Sequence, residues 1–322
     1  MFCMNKAMRL ALAALSYTDI DIKKNYKLRR SVAKIKAPLL TKPLYNFRDL
    51  KICSDGREIP VRIYTPKTPT NDRVLLFFHG GGWVTESVDT YNRVCLNLAK
   101  GTGCRVISVE YRLAPEHPFP AGLEDCYAVA REFICSPEGF DITPDKITLI
   151  GDSAGANLAA AVSLLARDRG EFSIHSQILI YPATYNDHTE NSPFPSVVEN
   201  GKGYLLTSKK VSDYMTLYMS SEEDKNSPYF APLLAADFSK QPATLIITAQ
   251  YDPLRDEGEA YGKRLANAGV KVRIYRAKEA LHGYFSLEPI YPQVRKTYEL
   301  INKFLYEVQS NDQSPGGRLE PS

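Results

Sequence analysis

The chain has 322 residues, of which 44% are hydrophobic, and this is enough to bury one large core in a single α/β domain. Its 40 Lys and Arg residues nearly balance its 37 Asp and Glu residues, which leaves a formal net charge of +3. Neither sign forms a long block, and this excludes the charged surface expected of a protein that binds nucleic acid or acidic membranes.

The N-terminus resembles a signal peptide only superficially. Lys6 and Arg9 precede an apolar run at Leu10–Leu15, but this run is short for a signal peptide and no clean cleavage site follows it. No stretch of the chain is long enough to span a membrane. Six cysteines are scattered without CxxC pairs or metal-like Cys/His spacing, which favours free thiols in a reducing compartment. We therefore predict a cytoplasmic protein without a metal site.

The elements that follow indicate a sheet. Strands predicted at 47–53 and 59–64 form a hairpin around an Asp-Gly turn. Further short apolar runs, typical of strands buried on both faces, lie at 73–78, 105–109, 147–150, 177–180, 244–248 and 270–275. Helical segments alternate with these runs at 91–100, 121–134, 154–167, 257–268 and 292–308. This alternation predicts an α/β fold with a doubly wound, mostly parallel sheet of eight strands flanked by helices.

Two segments do not follow this alternation, residues 1–45 and residues 185–224. Long segments without strands inside a compact domain tend to be lids or binding elements, so we predict that together they form a helical cap. The catalytic domain then comprises residues 46–184 and 225–309. The last residues, 310–322, are polar and rich in Gly, Pro and Ser, and we predict a disordered tail.

The strongest chemical signal is the sequence Gly-Asp-Ser-Ala-Gly at 151–155, which follows a predicted strand and precedes an Ala- and Leu-rich helix. This is the GxSxG nucleophile elbow in its strand–turn–helix context, and it makes Ser153 the candidate nucleophile. A second signal, His-Gly-Gly-Gly-Trp at 79–83, follows the third strand. Consecutive glycines let backbone N–H groups approach a ligand oxygen, as an oxyanion hole requires.

A serine nucleophile needs a histidine base and an orienting carboxylate, and in this fold both follow the serine, with the acid first. His282 fits because it lies in a loop after the final strand, whereas chain order or context excludes His79, His117, His175 and His188. Asp252, just past a strand, is the candidate carboxylate. Asp256 and Glu257 are its rivals, but they lie at a helix start, where acidic residues are expected as caps.

These motifs resemble the hormone-sensitive-lipase-like family of α/β-hydrolases, in the branch that carries GDSAG. The blocks that support it are FFHGGGW at 77–83, YRLAPEHPFPAGLED at 111–125, GDSAGANLA at 151–159, AQYDPLRDEGEAYGKRL at 249–265 and LHGYF at 281–285. The resemblance implies the α/β-hydrolase fold, the triad Ser153, Asp252 and His282, and a cap made of the N-terminal segment and an insertion after the sixth strand. It also implies an oxyanion hole at Gly80, Gly81, Gly82 and Ala154, with His79 and Gly80 shaping the loop.

The predicted activity is the hydrolysis of carboxylic esters of short to medium acyl chain through an acyl-enzyme on Ser153, without a metal or organic cofactor. An amidase or peptidase stays open, because the same triad serves any acyl transfer. A non-catalytic small-molecule receptor is disfavoured, since receptors related to this family have lost the histidine that His282 supplies here. The predicted partner is a small-molecule ester, with no nucleic acid and no integral membrane association, and a homodimer stays open.

Two predictions concern the surroundings of the site. Arg112 and Glu116 are expected to pair and brace it, and Asp152 is expected to brace the nucleophile's neighbourhood.

Aromatic residues in or near the cap insertion either line the substrate pocket or form the cap core, and the sequence leaves both open; they are Phe194, Tyr204, Tyr214, Tyr218 and Tyr229.

Overall fold

The computed structural model describes residues 21–36 and 47–312. The apolar run at Leu10–Leu15 and the first part of the predicted cap therefore lie outside the described residues. Within those that are described, no helix has the length and apolar character needed to cross a membrane.

Eight strands form one sheet in the order β1-β2-β4-β3-β5-β6-β7-β8. They are β1 Phe47–Ser54, β2 Arg57–Tyr64, β3 Val74–Phe78, β4 Arg105–Val109, β5 Ile147–Asp152, β6 Ser176–Ile180, β7 Ala243–Tyr251 and β8 Val272–Leu281. The pairs β1/β2 and β2/β4 are antiparallel, and the other five pairs are parallel. The predicted eight-stranded, mostly parallel sheet is confirmed.

Helices cover both faces of this sheet, as the alternation of elements predicted. The α-helices are α1 Ile22–Lys36, α2 Asn92–Thr102, α3 Ala121–Cys135, α4 Ala154–Arg169, α5 Pro195–Glu199, α6 Ser208–Tyr218, α7 Arg255–Asn267 and α8 Pro292–Asp312. One hydrophobic core joins the sheet to α3, α4 and α7, and a second joins its other face to α2 and α8. Because β3, β5 and β6 are buried along their whole length, their C-terminal ends are held rigidly where the site forms.

The last strand and the last helix differ most from their predicted bounds. β8 starts at Val272 and continues to Leu281, beyond the predicted end at residue 275. It is an edge strand whose residues are mostly exposed or half-buried, with Ala277 and Ala280 as its buried positions, so its second half lacks the apolar run that marks a central strand. Helix α8 continues to Asp312, inside the predicted tail, and residues 313–322 lie outside the described part of the chain.

Helix α1 connects the N-terminal segment to the insertion. It packs on α6, where Lys23 forms an ion pair with Asp213 at 3.4 Å. Arg30 of α1 donates from Nε to the Val84 carbonyl and from Nη2 to the Ala114 carbonyl, both at 2.7 Å. The two parts of the predicted cap therefore meet each other and the catalytic domain. The exact division into cap and catalytic domain stays a prediction.

The predicted pair between Arg112 and Glu116 is wrong. Arg112 binds the buried Asp125 through two hydrogen bonds of 2.8 Å, from Nε and Nη2. Glu116 instead accepts hydrogen bonds from Nη1 and Nη2 of Arg30, at 3.0 and 2.9 Å. The YRLAPEHP block is thus braced by two separate ion pairs, one of which comes from α1.

Candidate active site

Ser153 lies at the sharp turn between β5 and α4. Its φ of 55° and ψ of −120° place it in a conformation that is strained for a residue with a side chain. The flanking glycines permit the turn, because a Cβ on Gly155 would lie 1.9 Å from the Phe78 carbonyl oxygen and one on Gly151 would lie 2.4 Å from the Gly155 backbone. The GxSxG spacing is therefore a packing requirement of this turn, which presents the serine side chain to a cavity.

His282 and Asp252 complete a chain of hydrogen bonds that starts at Ser153. His282 Nε2 lies 2.9 Å from Ser153 Oγ, and Nδ1 lies 2.7 Å from Asp252 Oδ2. An ionised carboxylate can only accept, so Nδ1 carries the proton and Nε2 is the acceptor for the serine hydroxyl. Asp252 is fully buried, and the His282 side chain is 13% exposed. The structure thus brings the three predicted triad residues together from the ends of three strands.

The rival carboxylates and histidines have other partners. Asp256 pairs with Arg255 and accepts a hydrogen bond from the Ser196 amide. Glu257 is buried against His188, with Oε2 2.6 Å from Nε2, and accepts hydrogen bonds from the amides of Thr184 and Tyr185. His175 faces Asp145 at 3.1 Å. These contacts assign the rivals to packing of the insertion and of the surface.

The glycine loop lies beside Ser153. Gly81 and Gly82 have φ values of 110° and 62°, which favour glycine, and both line the same cavity as Ser153 and Ala154. The amide of Gly80 donates to Asp152 Oδ1 at 2.9 Å. The prediction that Gly80 belongs to the oxyanion hole is therefore wrong for its N–H group, which is already committed to a carboxylate; Gly80 acts in fixing the loop.

His79 begins the loop and is buried with it. Its ring stacks on Tyr111 with centroids 4.3 Å apart, and Nδ1 lies 2.8 Å from the Gly80 carbonyl oxygen. Burial lowers the pKa of His79 to about 4, so its imidazole is neutral at physiological pH. A neutral, packed ring is suited to shaping the loop, the part that the resemblance assigned to it.

Asp152 links the nucleophile's turn to the glycine loop, as the predicted brace requires. Besides the Gly80 amide, it accepts hydrogen bonds from the hydroxyls of Tyr91 and Tyr181, at 3.0 and 3.3 Å from Oδ2. Burial raises the pKa of Asp152 to about 6, although the hydrogen bond from Tyr91 and the nearby His282 act to lower it. The carboxylate is therefore charged above about pH 6 and neutral below it.

We expect Asp152→Asn to lower kcat/KM at pH 8 by about tenfold, the equivalent of one pKa unit of interaction with the histidine cation. The asparagine side chain can still accept from Gly80, but it has no charge to stabilise protonated His282. Asp152→Ala also removes the acceptor and should cost at least a further tenfold. In the wild type, kcat/KM should fall as Asp152 becomes protonated below pH 6, and the Asn variant should lack this component. An Asn variant with the wild-type pH profile would contradict this role.

Asp152 also makes the free energy of unfolding depend on pH. The folded-state pKa of Asp152, about 6, lies above its ordinary value of 3.8, so between these values the folded protein binds more protons at this site than the unfolded chain. Its contribution to the free energy of unfolding is therefore fully present below about pH 4 and is lost as the pH rises through 6. Urea denaturation of the wild type and of Asp152→Asn at pH 5 and pH 8 measures this difference.

A cavity of about 450 Å³ opens above the serine, and its wall includes residues from α1, the glycine loop and α6. Of the five aromatic residues considered above, Tyr214 lines this cavity. Tyr218 is buried and stacks on Trp83 at 4.5 Å. The other three make contacts elsewhere: Phe194 contacts Tyr185, Tyr204 stacks on Tyr251, and the Tyr229 hydroxyl donates to Asp168. Aromatic content thus predicts cap packing better than pocket lining here.

Sequence reasoning did not identify several residues at this site. Tyr181 places its ring 4.6 Å from that of His282 and bonds to Asp152, and Tyr91, Arg29 and Lys210 line the cavity. None of them belongs to a motif with fixed spacing. A tyrosine directly after the sixth strand, at the sheet edge where the triad forms, is the one signal that could have pointed to Tyr181.

The comparisons with known proteins agree with this geometry. Residues 75–286 match the family described as having the alpha/beta hydrolase fold. The chain belongs to this family. It is 38% identical over 260 residues to an arylesterase of Saccharolobus solfataricus, covering 80% of this chain and 83% of that protein. It is 34% identical to the carboxylesterase NlhH of Mycobacterium tuberculosis, over 82% of this chain and 83% of that protein.

Solved structures of esterases share the whole fold. A hyperthermophilic esterase from Pyrobaculum calidifontis has a TM-score of 0.82 at 35% identity, covering 97% of this chain and all of that one. The structure of an arylesterase has a TM-score of 0.81 at 33% identity, over 94% and 99% of the two chains. Within the α/β-hydrolase family, the chain therefore belongs with the hormone-sensitive-lipase-like carboxylesterases, and the resemblance seen in the sequence is confirmed.

Proposed function

We propose that this α/β-hydrolase is a serine carboxylesterase that hydrolyses esters of short to medium acyl chain through an acyl-enzyme on Ser153. The observation that carries the proposal is the continuous chain of hydrogen bonds from Ser153 Oγ through His282 to Asp252, at 2.9 and 2.7 Å, beside a glycine loop. Relatives over most of the chain that are named arylesterase, carboxylesterase and ethyl acetate hydrolase support the ester specificity.

In the first half of the reaction, Ser153 Oγ attacks the ester carbonyl carbon and its proton passes to His282 Nε2. The carbonyl oxygen becomes an oxyanion, which we expect to accept hydrogen bonds from the amides of Gly81, Gly82 and Ala154. Losing one such donor typically costs about 10²- to 10³-fold in rate. The tetrahedral intermediate then breaks its bond to the alcohol oxygen, which takes the proton from Nε2 and leaves the acyl group on the serine.

In the second half, a water molecule gives a proton to His282 Nε2 as its oxygen attacks the acyl carbon. The same amides hold the second oxyanion, and collapse returns the proton to Ser153 Oγ and releases the acid. Asp252 stays ionised throughout and holds Nδ1–H, so that Nε2 always faces the reacting oxygen. Its burial keeps water from competing for that hydrogen bond.

Acyl-chain preference is tested with p-nitrophenyl esters. The cavity of about 450 Å³ lies in the lower part of the range for small-molecule sites, about 300–1,000 Å³, and so favours compact acyl groups. We expect kcat/KM to be highest for butyrate or hexanoate and at least about tenfold lower for palmitate, whose tail cannot be fully desolvated. If kcat/KM kept rising with acyl-chain length up to long-chain triglycerides, the proposal would be contradicted.

An amidase or peptidase uses the same triad, so the leaving group must be tested separately. The test uses p-nitrophenyl butyrate and butyryl p-nitroanilide, an ester and an anilide with the same acyl group, so that only the leaving group differs. We propose ester hydrolysis, with kcat/KM higher on the ester than on the anilide after both are divided by their uncatalysed rates. The 2.9 Å contact between His282 and Ser153 argues against a receptor without catalysis, because it supplies the base that activates the serine.

We further propose that the enzyme acts on small-molecule esters in the cytoplasm. In the described part of the chain, Cys53, Cys95, Cys104, Cys126 and Cys135 carry free thiols, which suits a reducing compartment. A homodimer stays open, and size-exclusion chromatography with light scattering decides it.

A further inference from the structure

Arg29 of helix α1 places a positive charge on the wall of the cavity. Its Nη1 lies 3.3 Å from the hydroxyl oxygen of Tyr214, and both side chains line the cavity above Ser153. Among residues 21–36 and 47–312, no carboxylate lies within ion-pair distance of this guanidinium. The hydrolysis of a neutral ester, as derived above, makes no use of it.

The neighbouring Arg30 fixes the position of Arg29. Arg30 donates to the carbonyls of Val84 and Ala114 and pairs with both oxygens of Glu116. Successive residues of a helix point about 100° apart. Because Arg30 faces the catalytic domain with every end of its guanidinium engaged, Arg29 faces α6 and the cavity. The charge of Arg29 is thus held by a firmly anchored helix.

Tyr214 relates this charge to the reacting groups. Its ring lies directly on the glycine loop, because a Cβ on Gly82 would be 2.4 Å from Tyr214 Cγ and Cδ1. The hydroxyl at the other end of the ring contacts Arg29. The guanidinium is therefore about one tyrosine side chain away from the loop that would hold the oxyanion, far enough to contact a remote part of the substrate and not the scissile carbonyl.

Four other charged residues line the cavity: Glu86, Arg93, Asp152 and Lys210. Arg93 forms an ion pair with Glu288, and Lys210 Nζ donates to the Leu205 carbonyl at 3.3 Å. Asp152 is buried beneath the loop and accepts three hydrogen bonds. Glu86 also lines the cavity, next to the glycine loop, where a Cβ on Gly81 would be 2.8 Å from its Cγ. Arg29 is the cation on this wall whose side chain contacts Tyr214.

We infer that the preferred substrates are esters that carry a carboxylate several bonds from the scissile carbonyl, and that Arg29 is the specificity-determining residue that binds it. This rests on the proposed esterase function and adds the substrate class. A guanidinium matches a carboxylate with two parallel hydrogen bonds, and the partly buried wall of a cavity screens such a pair less than open solvent does.

The test compares esters that differ only by the charge, with acid release followed at constant pH. On the acyl side the pair is monoethyl adipate and ethyl hexanoate; on the alcohol side it is 4-acetoxybenzoate and 4-acetoxybenzamide. We expect the wild type to favour the charged member of at least one pair in kcat/KM, mainly through KM. Arg29→Gln should lower the ratio of charged to neutral kcat/KM by about tenfold or more, and Arg29→Lys should recover part of it.

Lys24→Gln is the matched control, because it removes one positive charge from the same helix at a side chain that is 82% exposed. Its ratio should stay at the wild-type value, and the wild-type ratio should fall as NaCl is added. If Arg29→Gln leaves both ratios unchanged, or lowers charged and neutral esters equally, the inference is wrong while the esterase function stands. A wild type that hydrolyses none of the four esters contradicts the proposed function itself.

Discussion

Replacing Ser153 with alanine is expected to lower kcat for p-nitrophenyl butyrate by about 10⁴- to 10⁶-fold, the range seen when a nucleophile is removed from a complete triad. The reason is geometric: Ser153 Oγ is the atom that His282 Nε2 contacts at 2.9 Å, and alanine leaves the base with nothing to deprotonate. Residual catalysis of about 10³- to 10⁴-fold over water would come from the oxyanion hole and binding. Initial rates at saturating ester, with active-site titration of the wild type, measure the loss.

Ser212→Ala is the matched control for this variant. It removes a serine hydroxyl that bonds only within its own helix, to the Ser208 carbonyl, and lies outside the cavity. Its kcat should stay close to that of the wild type. If Ser153→Ala kept more than about a tenth of the wild-type kcat, the nucleophile would have to be another residue.

Gly155→Ala is expected to destabilise the fold by about 3 kcal/mol or more, well above a typical substitution. The added Cβ would lie 1.9 Å from the Phe78 carbonyl oxygen and 2.5 Å from its carbonyl carbon. Both atoms belong to the backbone of a buried strand, so no side-chain rotation can relieve the clash. Either α4 must move away from β3 or the nucleophile turn must open. Urea denaturation followed by circular dichroism measures the change in the free energy of unfolding.

Gly170→Ala separates this clash from the general effect of replacing a helix-associated glycine. Gly170 ends the same helix with φ of 67°, and a Cβ there would meet nothing within 4 Å. Only the cost of a left-handed conformation remains, about 1–2 kcal/mol. We therefore expect Gly155→Ala to be clearly the less stable of the two, and equal losses would show that the close approach of α4 and β3 does not set the stability of the turn.

The parts of this fold that follow from local chemistry were predictable from the sequence. Buried parallel strands must be apolar on both faces, which is why the predicted bounds of β3 through β7 differ from the observed ones by only a few residues. Ser153, Asp252 and His282 were predictable for a related reason: each lies at or just beyond the C-terminal end of a strand. The GxSxG motif, the order of acid and histidine, and the local context of the rival residues then select these three.

Interactions between distant segments were not predictable in this way. Arg112 and Glu116 are close in sequence and opposite in charge, yet Arg112 binds Asp125, which lies in the second turn of α3, and Glu116 pairs with Arg30, 86 residues away. Long ionic side chains reach many positions, so spacing does not choose between them. The predicted end of edge strand β8 is too early, because the second half of the strand has few buried residues and carries little apolar signal.

The cavity wall was the least predictable feature. Its specificity depends on how α1 and α6 pack over the glycine loop, and neither helix carries a motif. From the sequence, Arg29 looks like an ordinary solvent-exposed cation in a basic helix, since its neighbours Lys27 and Lys24 are exposed. Only the position of its guanidinium against Tyr214 gives it a role. The residues that carry out the reaction can therefore be recognised from local motifs, whereas the residues that line the cavity and select the substrate depend on tertiary packing.

The central claim is that Ser153 is the activated nucleophile, and covalent labelling tests it most directly. The wild type is treated with a fluorophosphonate, inactivation is followed, and the modified peptide is identified by mass spectrometry. We expect one adduct per chain, on Ser153, formed in step with the loss of esterase activity, and no adduct in Asp252→Asn or His282→Ala on the same time scale. Full inactivation with the adduct on a different serine, or full activity with Ser153 labelled, would contradict the account.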